Sequence, residues 1–522
     1  MKNAVYGLIL IILIASFLRF WDLKNTPPGL WSDEAMNGTN AIQALESGPP
    51  AGGWKIFYPE NFGREGLFIN IQALFVKALG HEPWVLRLPS AIFGLLTVFG
   101  LYFLTKELLS VRVALFASFF LATSFWHINF SRMGFRAIIA PFFLVWSFYF
   151  LFLAMRKHKE WIFAMAGLIF GLGAHSYIAY RVAPIIALLP LWEFYKSWKT
   201  DAVKPPLGGL TAKSHCAPCA IGLFIFMAFL AALPLLWYYA QNPADFFGRT
   251  SAISIFNLPA GKAGSTNPLG QFSENLVKTL GMFNFVGDFN WRHNFAGSPE
   301  LWRPVGILFL VGIWLSLKKF KWPESFLLLW FGVMILPVAL SNEALPHALR
   351  AIVLIPPAMI FAALGLDWVW ANIRPRLRIF IFIFLSAAAL QAYSQYFLRW
   401  APNFNVYQAF QTNLTEKARW LNQQPKDIKK YVITDAVDRV DMRGAPMSFQ
   451  PIIFITDTSY PRKQIAKNIY YISAKNLGSA DCSQKCEFVP VEYRPTIFKT
   501  IKQKIPSLRL NTSPGFIILK NY

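Results

Sequence analysis

The chain has 522 residues, 55% hydrophobic and 17% aromatic but only 15% charged, with a mean hydropathy of +0.39; an ordinary soluble domain carries about 25% charged residues. That composition excludes a soluble multidomain protein, and four cysteines are too few for a disulfide scaffold. Lys+Arg 50 against Asp+Glu 27 gives +23, which in a membrane chain is first the loop charge that fixes orientation, so no nucleic-acid partner is expected.

Apolar runs that read as membrane spans lie near residues 4–20, 84–105, 113–131, 136–155, 161–179, 181–195, 218–240, 302–317, 322–341, 348–370 and 379–398. They predict a mainly α, polytopic transmembrane bundle of about eleven spans. The first run follows Lys2 as in a signal peptide, but the bulky Arg19-Phe20-Trp21 follows it in place of a small-residue cleavage site, so it reads as a retained span. With the N-terminus inside, every inner connection is basic: Lys106 and Arg112; Arg156, Lys157 and Lys159; Lys196, Lys199, Lys204 and Lys213; Lys318, Lys319 and Lys321; Arg374, Arg376 and Arg378. An odd count then puts the C-terminal segment on the extracytoplasmic side of a bacterial-type cell membrane.

Two modules are expected: 1–399 in the membrane, with long outer loops 21–83 and 241–301, and a small extracytoplasmic α/β domain over 400–522. In the first loop, LFINIQALFVKAL (67–79) has helical apolar spacing but reaches only about 20 Å, so it reads as an interfacial helix. In the tail, YVITD (431–435), IIFIT (452–456), IYYIS (469–473) and GFIIL (515–519) read as strands, and NLTEKARWLNQQ (413–424) as a helix with Asn or Thr as N-cap. Cys482 and Cys486 stand as a disulfide or as two thiols. Cys216-x-x-Cys219 beside His215 is two ligands short of a structural zinc site.

Chemistry-bearing residues collect on the outer side. Asp33 and Glu34 in Trp31-Ser32-Asp33-Glu34-Ala35 form a carboxylate pair just beyond the first span; they can serve as a general base towards a hydroxyl, though taken alone the motif reads more readily as a helix cap with Asp33 or Ser32 at the positive end. The same loop brings Glu60, Arg64 and Glu65. Arg132 and Arg136 stand one helical turn apart, and Arg181, Arg292 and Arg350 lie at the same level, with Tyr177, Asp288, His293 and His347 beside them. One arginine at a span end is ordinarily a snorkelling anchor, but the outer segments favour Arg where the inner ones favour Lys, and planar guanidinium groups bind phosphate bidentately. Of the seven histidines, His81, His127, His175, His293 and His347 fall on the outer side, in no recognised metal spacing.

These residues resemble a family. WSDEA, NFGREGLF, FSRMGFRAIIAP, SYIAYRVAP, GDFNWRHN and PHALRAI, spread over about residues 1–400, look like the GT-C glycosyltransferases that use polyprenyl-phosphate sugars. They are most similar to bacterial relatives of protein O-mannosyltransferases and of lipid A aminoarabinose transferase. The resemblance implies Asp33 as catalytic base with Glu34 beside it, and a polyprenyl-phosphate sugar donor whose phosphate takes positive charge from Arg64, Arg132, Arg136 and Arg181. Glu60, Glu65, Tyr177, Asp288, Arg292, His293, His347 and Arg350 would touch the substrates. Attack from the opposite face implies inversion onto a lipid, glycan or protein acceptor; membrane lipids are the remaining partners, and no cofactor or essential metal is expected. The alternatives are an oligosaccharide ligase, and a lipid-linked glycan flippase or transporter, which would place charges and broken helices at the midplane.

Overall fold

The computed structural model describes residues 2–46, 53–199, 216–256, 267–342, 344–434, 440–441 and 444–522; Lys204, Lys213, His215 and Asp435 lie outside the described residues. The chain forms two compact units that are not linear in sequence: Met1–Leu23 with Ser90–Trp400, and Lys24–Pro89 with Ala401–Tyr522. The first outer loop thus shares a compact unit with the tail, where the linear division at residue 399 had grouped it with the spans.

The first unit is helical. Among the described residues eight helices are long and apolar enough to cross a membrane: Asn3–Phe20, Pro83–Leu108, Arg136–Lys157, Ile178–Lys199, Ala217–Gln241, Trp322–Ala339, Arg350–Asn372 and Pro375–Trp400. Val111–Thr123 and Phe125–Ser131 add a ninth if the pair, bent by 61°, is one span. Ser124 makes that break: its backbone is extended, and its hydroxyl accepts the His127 N–H to cap the second half. Each of the other two expected spans is also helical, as Glu160–His175 and the 17-residue Arg303–Lys319. At 1.5 Å per residue these reach only about 24–26 Å, short of a straight crossing. Composition alone counted their apolar residues; it did not register the 3-10 turn at Gly173–His175 or the Arg303-Pro304 start.

Close helix packing uses small residues, as expected where lipid removes the hydrophobic drive between helices. A Cβ on Gly312 would meet the Phe361 carbonyl oxygen, and one on Gly365 the Leu308 carbonyl oxygen, so Arg303–Lys319 and Ile355–Asn372 touch backbone to backbone. Beside them, the buried indoles of Trp330 and Trp126 donate to the Val353 and Ala348 carbonyls, 3.1 and 3.0 Å away.

The second unit is α/β. A two-residue hairpin, β1 (Phe57–Tyr58) with β2 (Arg64–Glu65), leads into Gly66–Leu79. The tail makes a five-stranded sheet in the order β4-β3-β5-β7-β6, from β3 (Lys429–Thr434), β4 (Ile469–Ser473), β5 (Cys486–Pro490), β6 (Arg509–Asn511) and β7 (Ile518–Lys520). β3 runs parallel to both neighbours, and β7 antiparallel to β5 and β6. Strand alternation sends Tyr431, Ile433 and Phe488 to one core. Val432 and Val489 go to the other, which also takes Ile42 of the Ser32–Leu45 helix and Ile69 of Gly66–Leu79.

Two expectations for the tail are corrected. IIFIT is the body of the helix Gln450–Thr456, started by Pro451 and buried along its whole length, so tertiary packing overrides β propensity. The helix Thr412–Gln423 is preceded by Gln411 at φ 50° without a side-chain cap, in place of the expected Asn or Thr. Cys482–Cys486 and Cys216–Cys219 are both disulfides, so the second pair bridges itself.

Replacing Gly312 by Leu drives a side chain into the Phe361 backbone and is expected to destabilise the unit by at least about 1–3 kcal/mol. Thermal unfolding of the detergent-solubilised protein, followed by loss of the monodisperse gel-filtration peak, reads the effect.

Candidate active site

The helix Ser32–Leu45 is unusual in being both polar and almost wholly buried: Asn37, Thr39, Asn40 and Gln43 have 3% exposure or less. Polar groups out of water must be paired, and the second unit supplies the partners. Arg64 of β2 donates to Asn37 Oδ1 (2.6 Å) and Asn40 Oδ1 (2.5 Å), one turn apart, and its Nε to the Glu60 carbonyl (3.3 Å). The Glu60 carboxylate is 3.9 Å from Arg64 and accepts from Asn40 at 3.4 Å. At the helix start, the Gln411 side-chain oxygen accepts both the backbone N–H of Ser32 (2.9 Å) and its hydroxyl (2.6 Å). The N-terminus is therefore capped by a residue of the tail, and neither Ser32 nor Asp33 acts as N-cap; that position is Trp31, which makes no side-chain cap.

Asp33 and Glu34 both sit in the first turn, where the helix dipole favours negative charge, but their surroundings separate them. Glu34 is fully buried, with its two oxygens each 3.1 Å from the Arg87 guanidinium. Arg87, also fully buried, completes its fork on the Pro27 and Gly29 carbonyls at 2.6 and 2.8 Å and lies over the Phe410 ring. Glu34 is thus held inside the protein by Arg87. Asp33 is half-buried and remains the candidate base. Arg87 lies in the first turns of the apolar run 84–105, where an arginine reads as an anchor, and nothing local marks its partners in the Pro-Gly turn 27–29. Glu65, 3% exposed, stands at the N-terminus of Gly66–Leu79.

The four arginines expected to hold phosphate are mostly engaged inside the protein. Arg64 is locked on Asn37 and Asn40. Arg132, fully buried, donates to the Leu18 (3.2 Å) and Trp21 (2.7 Å) carbonyls at the end of the first helix and stacks on Tyr396 and Phe397. Arg181 binds the Phe246 carbonyl and the Tyr239 hydroxyl, between their rings. Arginine carries five donors, and Arg64, Arg132 and Arg181 place several of theirs on side chains and carbonyls inside the protein. Arg136 is half-buried over the Tyr177 ring at 5.6 Å.

The first unit does gather one expected group. The Asp288 Oδ2 lies 3.0 Å from His293 Nδ1 and 3.8 Å from His347 Nδ1 and accepts the Ala348 N–H at 2.9 Å, while Oδ1 accepts the Asn290 N–H at 2.8 Å. The imidazoles stack 5.0 Å apart. Arg350 bonds Ser341 Oγ, and the Arg292 carbonyl accepts from Asn129. Burial pushes His293 below the usual imidazole range against the pull of Asp288, and pushes Glu300, whose Oε1 accepts the Asp288 N–H, well above the usual carboxylate range. Glu300 also lines a cavity of about 360 Å³ in the first unit, with Ser298, Arg303, Gln391, Gln395 and Arg399 among its walls; none of these was selected from sequence, for want of any motif.

Comparison with known proteins agrees with the fold. ArnT from Cupriavidus metallidurans, solved bound to undecaprenyl phosphate, matches at a TM-score of 0.58 over 99% of this chain and 98% of that one, with 11% identity. The chain has the fold of the GT-C membrane glycosyltransferases. In sequence, residues 67–221 match the family described as dolichyl-phosphate-mannose-protein mannosyltransferase. Two Bacillus subtilis proteins named as mannosyltransferases are similar: YkcB, 25% identical over 284 residues, and YycA, 24% over 301. Those matches take in 51% and 55% of this chain but 35% and 40% of the relatives, so the chain spans well under two thirds of their length.

Glu34→Gln leaves the buried Arg87 charge uncompensated and is expected to cost about 3–5 kcal/mol, read as a lowered thermal midpoint that Asp33→Asn does not share. Arg132→Lys keeps the charge but loses the fork; its expected effect is also on stability, with donor affinity unchanged in an equilibrium binding assay.

Proposed function

We propose that this chain is an inverting glycosyltransferase that moves a sugar from a polyprenyl-phosphate donor to an acceptor hydroxyl or amine on the extracytoplasmic side. The observation that carries the reading is Asp33: a half-buried carboxylate in the first turn of a buried helix, fixed by Arg87–Glu34 below it and by Arg64 on Asn37 and Asn40 one turn on. A base must be held in one geometry to be useful, and these bonds supply that rigidity. ArnT, of the same fold, is bound to a polyprenyl phosphate, which supports the donor class.

In the proposed reaction the Asp33 carboxylate takes the acceptor proton as the acceptor oxygen or nitrogen attacks the anomeric carbon. The bond from that carbon to the phosphate oxygen breaks, and its electron pair leaves with polyprenyl phosphate. The leaving group is already an anion and requires positive charge more than a proton. Inversion follows from displacement on the face opposite the phosphate. No nucleotide or other cofactor enters the scheme.

Given a radiolabelled polyprenyl-phosphate sugar and a membrane extract, the purified protein is expected to label an acceptor, and Asp33→Asn to slow transfer by about 10²–10⁴-fold while still binding donor. Near-full transfer by Asp33→Asn would overturn the assignment. Orientation has its own test: nine crossings put the tail opposite the N-terminus and eight put it on the same side, so cysteine labelling of the tail in sealed vesicles is expected to show it outside.

A further inference from the structure

The Asp288, His293 and His347 group has a geometry that the glycosyl-transfer scheme does not use. Their ligand atoms all lie within 4.8 Å of one another. Zinc binds imidazole nitrogen at about 2.0–2.1 Å and carboxylate oxygen at about 2.0–2.2 Å, so two ligands of one tetrahedral ion stand about 3.3–3.4 Å apart. The Asp288 Oδ2 separations of 3.0 Å from His293 Nδ1 and 3.8 Å from His347 Nδ1 bracket that value. The three side chains come from segments almost sixty residues apart in sequence, and the carboxylate is already aimed by the N–H groups of Ala348 and Asn290, the outer-shell support that metal ligands usually have. The Arg350 guanidinium bonds the Ser341 hydroxyl, and the Arg350 backbone N–H lies 3.4 Å from His347 Nδ1, a contact that an ion at that nitrogen would replace. Asp288 and His293 are each 4% exposed, whereas the His347 side chain keeps 12%, which leaves entry from the His347 side.

We infer that Asp288, His293 and His347 form a binding site for one divalent transition-metal ion of the zinc class, with the fourth position open. One carboxylate and two imidazoles suit such an ion better than magnesium or calcium, which prefer all-oxygen shells. Its place in the fold gives it a structural task. His293 lies in the segment that enters Arg303–Lys319, and His347 in the one that enters Arg350–Leu354 and Ile355–Asn372, so the ion would staple the ends of the two helices that touch through Gly312 and Gly365. The inference is independent of Asp33.

The test uses the untagged full chain in detergent, stripped with a chelator and then titrated with zinc alone, with bound metal measured by elemental analysis after equilibrium dialysis. One zinc per chain is expected, along with a zinc-dependent rise in thermal midpoint. Both are expected to be lost in His293→Ala, and to need at least about tenfold more zinc in His347→Gln, the partly exposed ligand least needed for folding. Magnesium in excess is expected not to compete. Zinc binding that is absent in the wild type, unchanged in a monodisperse His347→Gln, or abolished by Cys216→Ser with Cys219→Ser would overturn the site.

Discussion

The arrangement depends on one constraint, that a helix rich in polar residues is buried. Asn37 and Asn40 lose water and take Arg64 in its place, Asn40 in turn donates to Gln43, Glu34 takes Arg87, and the Ser32 N–H takes Gln411, so the Ser32–Leu45 helix stands on two arginines and a glutamine. The arrangement is reciprocal: Arg87 and Arg64 are themselves buried, with Glu34, Glu60 and a set of carbonyls around them. Removing any one member leaves an uncompensated group in low dielectric, which ties the hairpin, the Pro-Gly turn at 27–29 and the tail's Gln411 to one helix. Asp33 inherits its position from that network.

The same economy explains the arginines that stand at helix ends. Helices that end near a membrane surface leave carbonyls without partners, and a guanidinium reaches several of them at once. Arg132 takes the end of the first helix, while Arg19 binds the Ala15, Leu121 and Ala122 carbonyls and His127. Phosphate and backbone carbonyl present similar targets to that fork, so composition showed where guanidinium groups are needed without showing for what. Arg136, on Tyr177, is distinguished from the others only by its surroundings.

Hydropathy and strand alternation are local properties, so a polytopic helical membrane protein with a small mixed domain, and a carboxylate pair beyond the first span, are already legible in the chain. Strands β3 and β4 were legible as β-branched runs; IIFIT was not, since burial on all sides allows helix or strand and only the packing partners choose. The pairing of Glu34 with Arg87, 53 residues apart, and of Asp288 with His347 has no sequence signal, because neither lies at a helical or strand spacing. Tertiary structure decided which of two adjacent acids is an anchor and which is half-open, and it joined the first outer loop to the tail in one core. The reason is physical: a residue's charge and size are written in the chain, whereas its dielectric surroundings and its partners exist only once distant segments meet.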